Sequence, residues 1–151
     1  MQKMKRLSGV TLLEVLLVLA IAAMIIVMSV RYYQSASTSQ QANTVLAQIQ
    51  SITAAMDSLA QAGASYSNIF DSTIAPLLPA NGLRPPWGGT PITVSGKGGK
   101  FTVTIPLMPA GVCSIVKTYL DQNPHFKVEA DDNATACSTK ANFVYTYTSS
   151  I

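Results

Sequence analysis

The hydrophobic pattern separates an apolar N-terminal stretch from a longer chain of mixed character. Fourteen apolar residues run without interruption from Val15 to Met28. As a helix, Val10–Val30 would measure about 31 Å, which matches a hydrocarbon core of about 30 Å. Three cations precede this stretch and only Arg31 follows it closely, so the positive-inside rule keeps Met1 in the cytoplasm. The pattern therefore predicts one membrane-spanning helix over residues 10–30, with the rest of the chain exported.

The same helix is predicted to continue beyond the apolar stretch. No glycine or proline occurs from Val10 to about residue 61, and Gly63 is the expected helix stop. Residues 31–62 form the amphipathic half, which we expect to pack against a globular head formed by residues 63–151. Apolar residues recur there at spacings of three and four, as a buried helix face requires: Val45, Leu46, Ile49, Ile52, Met56 and Leu59.

Beyond the long helix, the pattern changes to strand periodicity. Five prolines make residues 63–91 rich in loops. Alternating residues then predict a hairpin turned by Gly96-Lys97-Gly98-Gly99 and two later strands. The predicted fold class is α+β, with the long helix packed against a small antiparallel sheet. The strands are expected around 92–94, 101–105, 125–129 and 143–148.

One short helix is predicted between the strands, over residues 110–121. Cys113 lies near its start. Its apolar side is expected to consist of Val112, Ile115, Val116 and Leu120.

A single carboxylate, Glu14, lies where the chain enters the apolar stretch. Its entry into a bilayer costs about 2.5–3.5 kcal/mol, and no lysine or arginine shares its face. A cut between Gly9 and Val10 would create an ammonium four residues away, near a helix N-terminus that favours an anion. A cleaved secretory signal or an uncleaved signal anchor accounts for the apolar run, but neither explains Glu14.

The segment KRLSG-VTLLE resembles the processing site of type IV prepilins. It combines a short basic leader, Gly9 before the cut, an apolar first mature residue and Glu14 at the fifth mature position. The resemblance implies that prepilin peptidase removes leader residues 1–9 and often methylates the new terminus. It also implies a homopolymeric extracellular filament. Our hypothesis from the charges is that in a bundle of such helices Glu14 of one copy neutralises the Val10 ammonium of another. Before assembly the subunit would lie in the inner membrane with its head in the periplasm, and a pilus assembly ATPase and an inner-membrane platform would extrude it.

Further stretches resemble the type IVb branch, including bundle-forming and conjugative thin-pilus pilins. The first mature residue is Val10 rather than phenylalanine, and YYQSAS at 32–37 and PPWGGTPITV at 85–94 are similar to that branch. The cysteine contexts VCSIVKTYL and TACSTKANFVYTY are similar to its C-terminal region. The resemblance implies a disulfide that closes this region and an antiparallel sheet with the final strand in its middle.

The two cysteines, Cys113 and Cys137, favour a disulfide in an oxidising compartment. A metal site is the alternative, but His125 is the only histidine and no CxxC occurs. Asp131 and Asp132 are predicted to lie in a turn, where calcium binding, known in some pseudopilins, is a further alternative.

Charge and motifs do not indicate an enzyme. The net charge of +3 includes three cations from the leader, so the mature chain is near neutral and no nucleic-acid partner is expected. No catalytic triad and no phosphate-binding loop can be found, and we expect no cofactor and no metal. The alternatives to a major pilin are a minor pilin, a type II secretion pseudopilin, and a signal-anchored periplasmic binding module that does not polymerise.

Overall fold

The computed structural model describes residues 7–129, Cys137 and residues 141–149, with side chains from Thr11 onward and without that of Ala141. The architecture is α+β, as predicted. Its elements are α1 (Leu7–Gly63), α2 (Asp71–Ile74), a 3-10 turn (Ala75–Leu77), β1 (Thr93–Lys97), β2 (Lys100–Met108), α3 (Ala110–Asp121), β3 (Phe126–Glu129) and β4 (Ala141–Thr148).

Contacts divide the chain into two compact units, Met1–Ser37 and Thr38–Ile151. In the first unit, no side chain from 11 to 37 is buried. In the second unit, the first buried side chain of α1 is Ala42.

The C-terminal half of α1 supplies one wall of the hydrophobic core. Its buried side chains follow the predicted helical stripe, because residues three and four apart share a helix face. Full burial of a large apolar side chain stabilises by about 1.5–3 kcal/mol, so the stripe contributes on the order of 10 kcal/mol before chain entropy is counted. Val45, Ile49, Ile52 and Met56 are at most 1% exposed, and Leu46 and Leu59 pack at the margin of the core.

The sheet has four antiparallel strands in the order β1-β2-β4-β3. The last strand of the chain therefore lies in the interior of the sheet, as the resemblance implied. Strands alternate between a core face and an outer face. Phe101 opposes Tyr147 and Val103 opposes Tyr145 on the core face. Strand β3 pairs with the other edge of β4 and places Phe126 opposite Tyr147.

The β1–β2 hairpin turns more tightly than predicted. Gly96 and Lys97 belong to β1, and only Gly98 and Gly99 connect the two strands. The Gly96 N–H donates to the Ile69 carbonyl at 2.9 Å, and the Gly98 carbonyl accepts from the Tyr66 N–H at 2.8 Å. A Cβ at position 96 would collide with the Tyr66 carbonyl. Glycine is therefore required there by the close approach of another segment, and not by the turn.

Helix α3 has the predicted bounds, but one predicted core residue is wrong. Ile115 is 39% exposed, whereas Cys113 is 2% exposed. At 100° per residue, Ile115 points away from the mean direction of the other apolar residues, and Cys113 lies closer to it. The buried side of α3 consists of Val112, Cys113, Val116 and Leu120.

Two side chains hold the loop between the 3-10 turn and β1. Trp87 is half-buried, and its Nε1–H donates to the Pro106 carbonyl at 3.0 Å. Gln48, a polar residue that is not among those of the predicted stripe, is 9% exposed. Its Nε2 donates to the carbonyls of Asn81 and Arg84. These bonds hold the loop against α1, and the Asn81 carbonyl also accepts from the Arg84 N–H within the loop.

Candidate assembly helix and disulfide-closed head

The N-terminal part of α1 presents an apolar surface on all sides. Between Leu12 and Val30 its large apolar side chains are 50–71% exposed. Soluble monomers rarely leave so large an apolar patch uncovered. Within the described residues, α1 is the one helix long and apolar enough to cross a membrane, a test that signal sequences also pass. This helix can therefore anchor the chain in a membrane.

The residues of the predicted processing site lie at the start of the same helix. Gly9 and Val10 are helical, since α1 begins at Leu7, and the side chain of Val10 lies outside the described part. Glu14 is exposed and is the only charged residue between Thr11 and Val30. Among the described side chains, no hydrogen bond or ion pair reaches its carboxylate. The structure thus places Glu14 on the apolar surface without bringing it to a partner among the described side chains.

The disulfide predicted from the two cysteines is confirmed. Cys113 on α3 is bonded to Cys137, 24 residues further along the chain. Closing a loop of this length stabilises the fold by about 3 kcal/mol in the chain-entropy account. The bond fixes residue 137 against the buried side of α3. The predicted turn with Asp131 and Asp132, and with it the calcium alternative, lies outside the described residues.

An aromatic cluster joins the end of α1 to the sheet, and sequence reasoning did not single it out. The Tyr66 ring packs edge-on against Phe101, and the Phe101 ring contacts Tyr147. Tyr147 in turn contacts Phe126. The Tyr66 hydroxyl donates to the Asp57 carboxylate. Burial, together with this hydrogen bond, raises the pKa of Tyr66 to about 12, so the phenol stays protonated and acts as a structural donor.

The remaining polar groups that the structure describes form no recognisable cluster of reactive side chains. No group of three or more histidine, cysteine, aspartate or glutamate side chains that could hold a metal occurs among the described residues. The His125 ring lies against a backbone carbonyl, with Nδ1 3.0 Å from the Thr148 oxygen. An open groove of about 530 Å³ lies between α1 and the loop at 79–88. That the chain is not an enzyme stays a prediction.

No model of a known protein family matches this chain, and no curated protein matches it with significant similarity. The resemblance to type IV prepilins therefore rests on the residues alone: the Gly9–Val10 context, the lone Glu14 and the two cysteine contexts.

Proposed function

We propose that this chain is a type IV pilin of the IVb branch, a structural subunit cleaved after Gly9 and polymerised into an extracellular filament. One observation carries the proposal. The apolar surface of α1 is exposed from Leu12 to Val30 and is interrupted by one carboxylate, Glu14, four residues after the predicted new terminus. A plain membrane anchor needs the apolar surface but has no use for the carboxylate, which makes insertion less favourable.

The mechanism follows from two successive environments for the same helix surface. Before assembly, residues 10–30 are surrounded by lipid, with the head in the periplasm. In the filament, the same surface packs against other copies. Lipid tails and apolar helices are about equally apolar, so the transfer gains little hydrophobic free energy. Packing, charge pairing and an ATP-driven assembly platform must therefore supply the driving force.

Charge pairing sets the position of each new subunit. In an apolar bundle an unpaired carboxylate is costly, and an ammonium at Val10 of a neighbouring copy neutralises it. The pair joins position 10 of one copy to position 14 of another, so it favours one axial stagger between neighbouring helices over others. A contact between unlike surfaces repeats without closing and produces a helical filament.

The first experiment is the intact mass and N-terminal sequence of protein sheared from the outside of cells. Abundant sheared protein that begins at Val10 and contains the Cys113–Cys137 disulfide supports a major pilin. Protein that begins at Val10 but stays in the membrane fraction contradicts this and favours a minor pilin or a type II secretion pseudopilin. Protein that still begins at Met1 favours a signal-anchored module that does not polymerise.

The second experiment tests the carboxylate. Glu14→Gln keeps the size of the side chain and removes its charge, so we expect cleaved, stable protein that forms no filaments visible by electron microscopy. Asp121→Asn, an equivalent change at an exposed residue of α3, should leave filaments unchanged. Normal filaments from Glu14→Gln would refute the pairing mechanism.

A further inference from the structure

The outer face of the sheet carries rows of hydroxyl and lysine side chains. Burial alternates along β1 and β2, which identifies the residues that point away from the core. The strand register then aligns these residues across the sheet. The rows are Lys97–Lys100–Thr148, then Ser95–Thr102–Thr146–Lys127, then Thr93–Thr104–Val144–Glu129.

Hydroxyl groups connect the middle of this face. Thr102 Oγ1 lies 3.2 Å from Thr146 Oγ1, and the Thr146 hydroxyl donates to the Glu129 carboxylate at 2.7 Å. Thr146 is 8% exposed, so this series of hydrogen bonds is a fixed part of the sheet. The Glu129 oxygen is therefore engaged by a hydroxyl and not by a lysine.

The lysines of this face lack anionic partners within the described part of the chain. Lys97 and Lys100 are direct cross-strand partners, and like charges in that position destabilise a sheet. Lys127 is exposed on β3, and none of the three forms an ion pair with a described carboxylate. An anion placed over this end of the sheet would relieve the repulsion and gain charge-assisted hydrogen bonds.

We propose that this outer face binds an anionic polysaccharide. Lysine side chains attract carboxylate, sulfate or phosphate groups, while the exposed hydroxyls of Thr93 and Ser95 can exchange hydrogen bonds with sugar hydroxyls. Four strands span about 14 Å from the first to the last, so an extended polymer contacts several side chains at once. None of the side chains in the rows is aromatic. A base-stacking platform, which single-stranded nucleic acid requires, is therefore missing from these rows.

The inference goes beyond filament formation and does not depend on it. All three rows lie within the unit Thr38–Ile151 and come from one copy of the chain. Binding should therefore be measurable with a single, unassembled subunit.

The test uses the full chain in a neutral detergent, with immobilised alginate, a polyuronate, as the probe. Binding should be clear at low salt and should weaken as ionic strength rises. Lys97→Gln with Lys100→Gln should lower the affinity by about tenfold or more. The matched control, Arg84→Gln with Lys117→Gln, removes the same charge from residues outside the rows and should change the affinity by less than about twofold.

Several outcomes would overturn the proposal. Equal loss in the two double variants would show that only net charge matters, and equal binding to neutral dextran would remove the need for an anion. Binding to duplex DNA with none to alginate would assign the face to another class of partner. The urea midpoint of the Lys97/Lys100 variant should be unchanged or slightly higher, because a like-charge pair is removed, so lost binding cannot be attributed to unfolding.

Discussion

Three glycines of the β1–β2 hairpin should respond differently to the same substitution. Gly96 lies against the Tyr66 carbonyl, Gly98 has a φ of +62° in open space, and Gly99 has neither constraint. Replacing each by alanine adds one methyl group and no charge. The comparison therefore separates three effects on the free energy of unfolding within four residues: a close backbone approach, a left-handed conformation and ordinary chain entropy.

Gly96→Ala should destabilise the head by about 2–3 kcal/mol. If the Tyr66 segment stays in place, the overlap costs about 1–3 kcal/mol, because a backbone carbonyl cannot rotate away as a side chain would. If the segment moves, it loses the Tyr66–Gly98 and Gly96–Ile69 hydrogen bonds, at about 0.5–1.5 kcal/mol each. Part of the packing of Tyr66, which is 1% exposed, would be lost as well.

The two other substitutions serve as controls. Gly98→Ala should cost about 1 kcal/mol, since alanine disfavours a positive φ. Gly99→Ala should be neutral or stabilise by up to about 0.5 kcal/mol, because alanine restricts the unfolded chain.

Urea unfolding of the full chain in detergent, followed by the fluorescence of Trp87, the only tryptophan, measures all three. A loss of 2–3 kcal/mol corresponds to a fall of roughly 1–2 M in the midpoint. A Gly96→Ala midpoint equal to that of the parent, or a Gly99→Ala midpoint as low as that of Gly96→Ala, would refute the reasoning.

Three further predictions concern the head. Burial raises the pKa of Tyr66 to about 12 and also raises the pKa of Tyr145. Both pKa values lie above the ordinary value near 10, so the stabilisation from the two protonated phenols is fully present below about pH 10 and is lost as the pH approaches 12. Urea midpoints at about pH 9 and 11.5 should therefore differ less in Tyr66→Phe than in the parent. The Tyr145 hydroxyl is buried without a hydrogen-bond partner among the described residues, so Tyr145→Phe should leave stability unchanged or raise it by about 1 kcal/mol; a lower urea midpoint would contradict this. Ala64 follows α1 with a φ of +58°, so Ala64→Gly should stabilise the head by about 0.5–1 kcal/mol and raise its thermal midpoint. A lower thermal midpoint would argue against a strained helix end.

Local periodicity was enough to predict most helices and strands. The bounds of α3 and the buried stripe of α1 follow from spacings within one segment, and the exposure of Ile115 was readable from its angle on the helix. The need for glycine at position 96 was not readable, because it arises from Tyr66, 30 residues earlier in the chain. The burial of Gln48 is similar, since its partners belong to a loop more than 30 residues away.

The candidate functional residues also differ in whether local sequence was enough to predict them. Glu14, Gly9 and Val10 form a contiguous pattern and needed no structure to be noticed. The rows of the outer face needed the strand register, because Lys97, Lys100 and Lys127 come from three strands. Lys127 is adjacent to Thr146 only because β4 lies between β2 and β3.

The interior position of β4 also determines when the head can fold. β2 and β3 have no pairing with each other, and both depend on β4, which follows them in the chain and ends at Thr148. If the chain crosses a membrane from its N-terminus onward, the sheet cannot close until β4 has crossed as well. The Phe101–Tyr147 pair is a long-range contact, and proteins rich in such contacts fold more slowly. The β1–β2 hairpin can form before β4 is available, but the order of the strands prevents the complete four-stranded sheet from closing until then.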